Sequence, residues 1–454
     1  MSTRTDAATS AAPSRYELNG AHVGFLAVVF FCGFGANSLR NGLGWVGWAI
    51  VIALLAAAAI TWLVRSGRAN AVRRLPIPLL AFSAYALLSV AWSHWRLETL
   101  EGWVVYAAPV LIAAAFALLA TWEEILVALS AGLRAVIAAS VIFELVVSLI
   151  IRHPILPVFQ NGLVRWQDAS LQLMWSRDVL FTTGKIQGIV GNSSILAAVA
   201  GVALIVVGVQ LATRRLERRW GTAWIVLIVA VIVGTRDATV IVALVVAAAV
   251  LLIVLVRRRI HAFGARLALV VTVAVVAVVA AIIASSQWVA VTALLGKEPD
   301  LTGRTELWDR VVGLAVEHPV FGWGWIGYWA PWVEPLGSLY KRYGVAQLHA
   351  HDAWLDLWMQ VGIVGLVLFA LLFLVTIVRA YRAAVTPLWV SSLGRRVFSN
   401  ITLLPVLVLT FLLVQTATES RILIEEGLMT LCLFAIKLKL DPFTRLSAYA
   451  TIED

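Results

Sequence analysis

One run, ATVIVALVVAAAVLLIVLV from Ala238 to Val256, constrains this chain more than any other feature. As an α-helix rising 1.5 Å per residue it reaches about 28 Å, close to the roughly 30 Å hydrocarbon thickness of a bilayer. It does not alternate at period two, so it is not a strand of a transmembrane barrel. Comparable runs recur along the chain. They leave it 61% hydrophobic and 13% charged, about half the charge of a soluble domain. The reading is an all-α polytopic membrane protein.

Twelve spans are expected, near 21–38, 43–64, 75–92, 103–120, 124–151, 187–211, 221–236, 238–256, 267–288, 354–378, 398–417 and 422–436. Residues 1–20 read as a disordered cytoplasmic tail with no cleaved signal-peptide pattern. Residues 21–436 form one transmembrane domain, and 437–454 a second cytoplasmic tail. Alternate connections carry Arg65, Arg68, Arg73 and Arg74; Arg214, Arg215, Arg218 and Arg219; Arg257, Arg258, Arg259 and Arg266; and Arg379, Arg382, Arg395 and Arg396. Short basic loops stay in the cytoplasm. Both termini then lie inside. The two long polar segments, about 152–186 and 289–353, lie outside. The second is a large extracytoplasmic loop between helices 9 and 10. The net charge of +10 follows from these loops and does not call for nucleic acid. Cys32 and Cys432 sit in apolar runs and read as packing residues.

The polar residues that remain are few. Arg236 stands at the outer end of two spans and reads either as a cation snorkelling to headgroups or as a phosphate ligand. Arg304 opens an amphipathic segment, with Thr302 or Thr305 as its cap and Glu306 or Glu317 as an ordinary ion-pair partner. His349, His351 and Asp352 precede the tenth span. They read as a polar cap, as acid–base or phosphate-donor groups, or as metal ligands. No further cysteine, histidine or aspartate cluster completes a metal shell in the sequence, so no metal and no cofactor is expected. Trp323, Trp325, Tyr328, Trp329 and Trp332 make a dense aromatic cluster. Such residues form an interfacial belt by default, and their flat faces also suit stacking on sugars. Arg134 and Glu144, inside the fifth span, are expected to face the bundle interior.

These residues resemble a known family. LTGRTELW from Leu301, followed by HPVFGWG from His318, is similar to the central segment of the O-antigen ligase and Wzy-type polymerase superfamily. His349-Ala350-His351-Asp352 with Leu355 and Gly362-Ile363-Val364-Gly365-Leu366 resembles its histidine motif, and Thr235-Arg236 its outer arginine. Gly191-Asn192-Ser193 is a weaker likeness. Asp352 departs from the family, which has Asn there. Within the superfamily the resemblance is to the ExoQ-like exopolysaccharide production group. It implies a GT-C-type fold in the bacterial cytoplasmic membrane and metal-independent glycosyl transfer on the extracytoplasmic side. The implied donor is a glycan on undecaprenyl diphosphate, and the implied acceptor another glycan. Arg236 and Arg304 would hold the diphosphate, and His351, with His349 as second candidate, would assist the acceptor hydroxyl. Trp323, Trp325, Tyr328 and Trp329 are the candidate sugar contacts. Other polysaccharide export components are possible partners.

A repeat-unit polymerase is the preferred reading, and a ligase to lipid A–core or another envelope acceptor is the alternative. A flippase is a minor third reading. Transporters place binding groups near the bilayer midplane, whereas here the polar residues gather at the outer face.

Overall fold

The computed structural model describes residues 18–160, 165–286, 304–342, 345–390 and 395–443. The expected tails, Thr302 and part of the 289–353 loop lie largely outside these residues. The described chain is helical. Helices α1 (Gly20–Phe34), α2 (Ala36–Arg65), α3 (Ile77–Leu88), α4 (Arg96–Leu119) and α5 (Trp122–Val146) come first. After an irregular segment come α6 (Ser193–Ala212), α7 (Arg218–Thr235), α8 (Ala238–Arg259) and α9 (Phe263–Ser286). Helix α10 (Arg304–Glu317) leads into an irregular stretch holding a two-residue hairpin, β1 (Lys341–Arg342) with β2 (Val345–Ala346). Helices α11 (Ala353–Val385), α12 (Leu403–Gln415) and α13 (Glu425–Leu440) complete the chain, with a hairpin β3 (Leu388–Val390)–β4 (Arg395–Val397) between α11 and α12.

Each expected span overlaps one of these helices, and α10 is the addition. Among the described residues, seven helices are long and apolar enough to cross a membrane by length and composition. Large apolar side chains are left open on outward faces, with Val46 74%, Leu54 65% and Val245 63% exposed. A water-soluble fold buries such residues, whereas lipid solvates them, so the exposed faces agree with a polytopic membrane protein. Cys32 and Cys432 are free and buried, as packing residues are.

Local chemistry sets the helix starts. The side chains of Asn19, Thr121, Asn192, Asp237 and Asp352 accept from the first free N–H groups of α1, α5, α6, α8 and α11, which otherwise have no intrahelical partner. The start of α6 is corrected from 187 to Ser193. Gln187 and Gly188 are instead held off-helix by Glu144 on α5, whose Oε1 accepts both backbone N–H groups at 3.0 and 2.7 Å. Glu144 also accepts from the Ser176 hydroxyl at 3.0 Å. This buried carboxylate therefore pins the irregular segment between α5 and α6 to the bundle. Arg134 lies over the Trp224 ring at 5.4 Å.

The irregular segment between α10 and α11 docks on a kink in α11. Gly362 has φ +63°, and a Cβ there would meet the Val320 carbonyl oxygen at 2.2 Å; a Cβ on Gly322 would meet the Gln360 carbonyl at 2.4 Å. The two backbones touch because both residues are glycine. The contact is sealed by Trp323 N to Met359 O at 3.1 Å, Gly324 N to Gln360 O at 2.8 Å and Ile363 N to Pro319 O at 2.9 Å.

The basic connections gather at the other end of the bundle. Buried Arg258, ending α8, donates to Ala384 O at 2.8 Å and Ser399 O at 3.2 Å. Asn400 donates to Ala212 O at 3.3 Å, at the end of α6. The start of α6 therefore lies about 30 Å from this basic end.

Candidate functional site

At that far end lies a cavity of about 470 Å³. The amino-terminal part of α2, the start of α6, the first residue of α10 and the chain from Val345 to His351 line it. Glu419 and Arg421, between α12 and α13, complete it. The histidine loop is rigidly placed: Ala350 N donates to Asp356 at 3.2 Å, Trp308 Nε1 to Ala350 O at 3.0 Å, and Ala353 N to Thr416 O at 2.8 Å. Asp352, where the resemblance implies Asn, caps α11 with one oxygen, accepting from Trp354 N and Leu355 N at 2.9 Å each. An Asn oxygen would do the same, so the departure conserves the cap. Burial raises the Asp352 carboxyl, against those two hydrogen bonds.

Glu419 is the hub. Its Oε2 lies 3.3 Å from His351 Nδ1, and its Oε1 accepts from Arg304 at 3.2 Å. Arg304 also donates to the Thr418 carbonyl. Burial alone would raise the Glu419 carboxyl, but His351 and Arg304 beside it hold it well below the usual range. On the other edge of the His351 ring, Nε2 lies 3.1 Å from Gln347 Oε1. His349 Nδ1 accepts the backbone N–H of His351 at 3.1 Å. Burial, then the His351 charge, push His349 well below the ordinary imidazole range. It is therefore neutral at pH 7 with its proton on Nε2, a donor rather than a base.

Beneath these groups lies a buried ion network. Arg421 donates to Glu426 at 2.6 and 2.7 Å and to Glu425 at 2.9 Å. Glu425 also pairs with Arg40, and Arg40 with Asn37. The Arg40 guanidinium sits 5.0, 5.2 and 5.4 Å from the Trp45, Trp48 and Tyr328 rings. Burial, then Glu425, push the Tyr328 phenol up to about 12. Arg177 also lines the cavity. Its Nε donates to Leu171 O at 2.9 Å, and it has no acidic partner among the described residues.

Of the residues singled out in the sequence, the structure brings Arg304, His349, His351 and Tyr328 to this one cavity. Arg236 does not line it. Arg236 is exposed, in a left-handed conformation that closes α7. Its neighbour Asp237 accepts from Ser194 at 2.7 Å, and Ser194 does line the cavity. Three of the aromatic expectations need correcting. Trp325 and Trp329 are 0% and 1% exposed; Trp325 packs on Phe82 and Tyr106, and Trp329 donates to Asp356 at 2.9 Å. Trp323 stacks on Trp95 and contacts His94 and His318. These three indoles hold the outer segment together, and only Tyr328 of the four faces the cavity.

The expectation that no third ligand joins the two histidines is also corrected. One atom each from His349, His351 and Glu419 lies within 4.8 Å of the others, a spacing that could hold a metal ion. Both Glu419 oxygens are already engaged, and Arg304 and Arg421 stand nearby. A dication would displace these partners and meet two fixed cations.

The family described as O-antigen ligase (Wzy_C) matches residues 223–370, from α7 into α11. A curated relative, the exopolysaccharide production protein ExoQ of Rhizobium meliloti (strain 1021), is 29% identical over 79 residues, 17% of this chain. That match spans 18% of ExoQ, under a fifth of its length. Both matches are likenesses of part of the chain, and both point toward the O-antigen ligase and Wzy superfamily. The ligase-family segment contains Arg236, Arg304 and both histidines. Arg40, Arg177, Glu419 and Arg421 lie outside it, and the sequence reading missed all four. A signal was present for two: TESRILIEEG, from Thr418, is the densest charge cluster in the last hundred residues to interrupt apolar sequence.

Proposed function

We propose that this chain is a glycosyltransferase of the bacterial cytoplasmic membrane. It moves a glycan from undecaprenyl diphosphate to a sugar hydroxyl on the extracytoplasmic side, as a repeat-unit polymerase. The observation that carries the reading is the meeting of Arg304, His349, His351 and Glu419 in one cavity away from the basic end. The expected twelve spans with both termini inside support an extracytoplasmic cavity, by the positive-inside rule, and the family resemblance implies a GT-C-type arrangement.

In this mechanism Glu419 accepts from His351 Nδ1–H and holds that proton in place, and the Nε2 proton that faces Gln347 Oε1 passes to solvent before the acceptor binds, so that Nε2 is a free base once Gln347 yields its place. The acceptor hydroxyl occupies the Gln347 position and gives its proton to Nε2. Its oxygen bonds the anomeric carbon as the carbon–oxygen bond to the diphosphate breaks. The leaving diphosphate takes the electron pair, and cations placed beforehand stabilise the charge. Arg304 and Arg177, which line the cavity, are the proposed cations; Arg236 lies outside the lining and takes part only where the diphosphate extends past Ser194 toward the end of α7. The proton on His351 then passes to solvent. His349, neutral, donates from Nε2. With Glu419 engaged as a hydrogen-bond acceptor, the chemistry is metal-independent.

The test is transfer from purified lipid-diphosphate glycan, with donor binding read separately. His351→Ala is expected to lose about 10²–10⁴-fold in rate while donor binding persists. His349→Ala controls for loop damage. Full turnover in His351→Ala would remove the assignment. The name of the matched family favours a second reading, a ligase. Supplying a lipid-linked repeat unit or a finished non-lipid-diphosphate acceptor to the same preparation separates the two by which one is extended.

A further inference from the structure

Part of the cavity lining has a different chemistry from the charged cluster. Asn41, Gln172, Gln187 and Asn192 line it beside Trp45. Their hydrogen bonds are incomplete in a consistent way. Gln187 is 3% exposed; its Nε2 donates to Gly191 O at 3.0 Å, while its Oε1 is buried with no partner among the described residues. Asn192 spends Oδ1 on the α6 cap, accepting from Ser194 N at 2.9 Å and Ile195 N at 3.2 Å, which leaves its two amide protons. The side-chain amides of Asn41 and Gln172 make no hydrogen bond to the described residues. Gly191, at φ +65°, brings Asn41 close: a Cβ there would stand 2.6 Å from Asn41 Nδ2.

A buried acceptor left without a donor is unfavourable, so Gln187 Oε1 calls for a ligand that donates. An anion only accepts and leaves it unsatisfied. Free amide N–H groups around it call for a ligand that accepts as well. Trp45, 46% exposed, offers a flat apolar face at the same place. An uncharged ring bearing hydroxyls meets all three demands.

We propose that Asn41, Gln172, Gln187 and Asn192 form a subsite for an uncharged, hydroxyl-bearing sugar unit of the transferred glycan. The proposal rests on the glycosyltransferase reading above and adds to it the residues that read the sugar. Substitutions in this wall change discrimination between glycans and spare the grip on diphosphate.

The experiment titrates two probes, undecaprenyl diphosphate and undecaprenyl-diphosphate–glucose, into the purified full-length protein in detergent. Wild type is expected to hold the glucose-bearing lipid more tightly than the bare lipid. Asn41→Ala and Gln172→Ala are each expected to reduce that advantage by about threefold to tenfold, the worth of one or two neutral hydrogen bonds, and to leave bare-lipid affinity unchanged. Arg304→Ala is expected to weaken both probes alike. An advantage that survives in both amide variants overturns the subsite, and so does equal binding of the two lipids by wild type. If neither lipid binds wild type, the donor assignment itself fails and the subsite with it. A bare-lipid loss in the amide variants equal to the glucose-lipid loss assigns the wall to folding and also overturns it.

Discussion

Glu419→Gln tests the site most directly, because Glu419 alone touches both halves of the machinery. Glutamine keeps the size and the acceptor oxygen and removes the charge. The side chain is 14% exposed, so solvent compensates little. Two charge-assisted contacts change: the one to His351 at 3.3 Å and the one to Arg304 at 3.2 Å. A hydrogen bond to a charged group contributes about 1.5–3 kcal/mol. Only the His351 contact grows in the transition state, as Nε2 takes the proton. The expected fall in kcat is therefore about tenfold to a hundredfold. Arg304, released from its carboxylate, is expected to hold the diphosphate as well as before or better, so KM for donor should not rise. A double-mutant cycle sharpens this. If the two residues act as a unit, Glu419→Gln adds little to His351→Ala, because groups that act together are strongly non-additive. Transfer rate and donor affinity measured on wild type, both single variants and the double variant decide it. Unchanged kcat in Glu419→Gln, or full additivity with His351→Ala, would refute the dyad.

Three further outcomes are expected. Ser338→Cys, the exposed residue of the single helical turn Leu336–Leu339, should react with an impermeant thiol reagent in intact cells; labelling only after the cytoplasmic face is opened would invert the topology. Turnover should survive EDTA; loss with rescue by one divalent ion would instead make ligands of His349, His351 and Glu419. Arg236→Ala should weaken donor binding about tenfold to a hundredfold, and Arg236→Lys nearly as much, because a point charge loses the bidentate fork; unchanged binding in Arg236→Ala would leave Arg236 a headgroup cation.

Much of this architecture was legible because lipid imposes a simple rule on sequence. Backbone groups must be satisfied within each segment, so spans appear as apolar runs; each expected run overlaps an observed helix, and seven of the described helices are long and apolar enough to cross a membrane. The histidine loop and Arg304 were legible because polar residues stand out against such runs. The indoles failed as sugar contacts for a physical reason. A tryptophan in a polar outer segment has two uses, and composition does not tell stacking on a sugar from holding the segment's own fold. Trp325 and Trp329 took the second, under the pressure to cover apolar area where an irregular chain lies on a helix. Glu419 was not legible because its meaning lies in its partners. In sequence it is one acid in a short connection, 68 residues from His351, and only the packing of α12 and α13 against α11 brings it under the imidazole.

The same packing separates two kinds of charge that look alike in sequence. Arg40 and Glu425 are 8% and 5% exposed at the side chain and pair across 385 residues, tying the start of α2 to the start of α13. Removing one member of such a buried pair costs about 3–5 kcal/mol, because the other is left uncompensated. That is a large share of the stability of any domain. A dead Arg40→Ala or Glu425→Ala enzyme would therefore report on assembly of the cavity floor and not on the reaction. Arg304 and Arg177 stand differently: each retains guanidinium protons in the cavity that no carboxylate claims fully. On the proposed mechanism, the arginines that meet the diphosphate are the ones the fold leaves under-paired, and the fully paired Arg40–Glu425 set beneath them holds the cavity floor together.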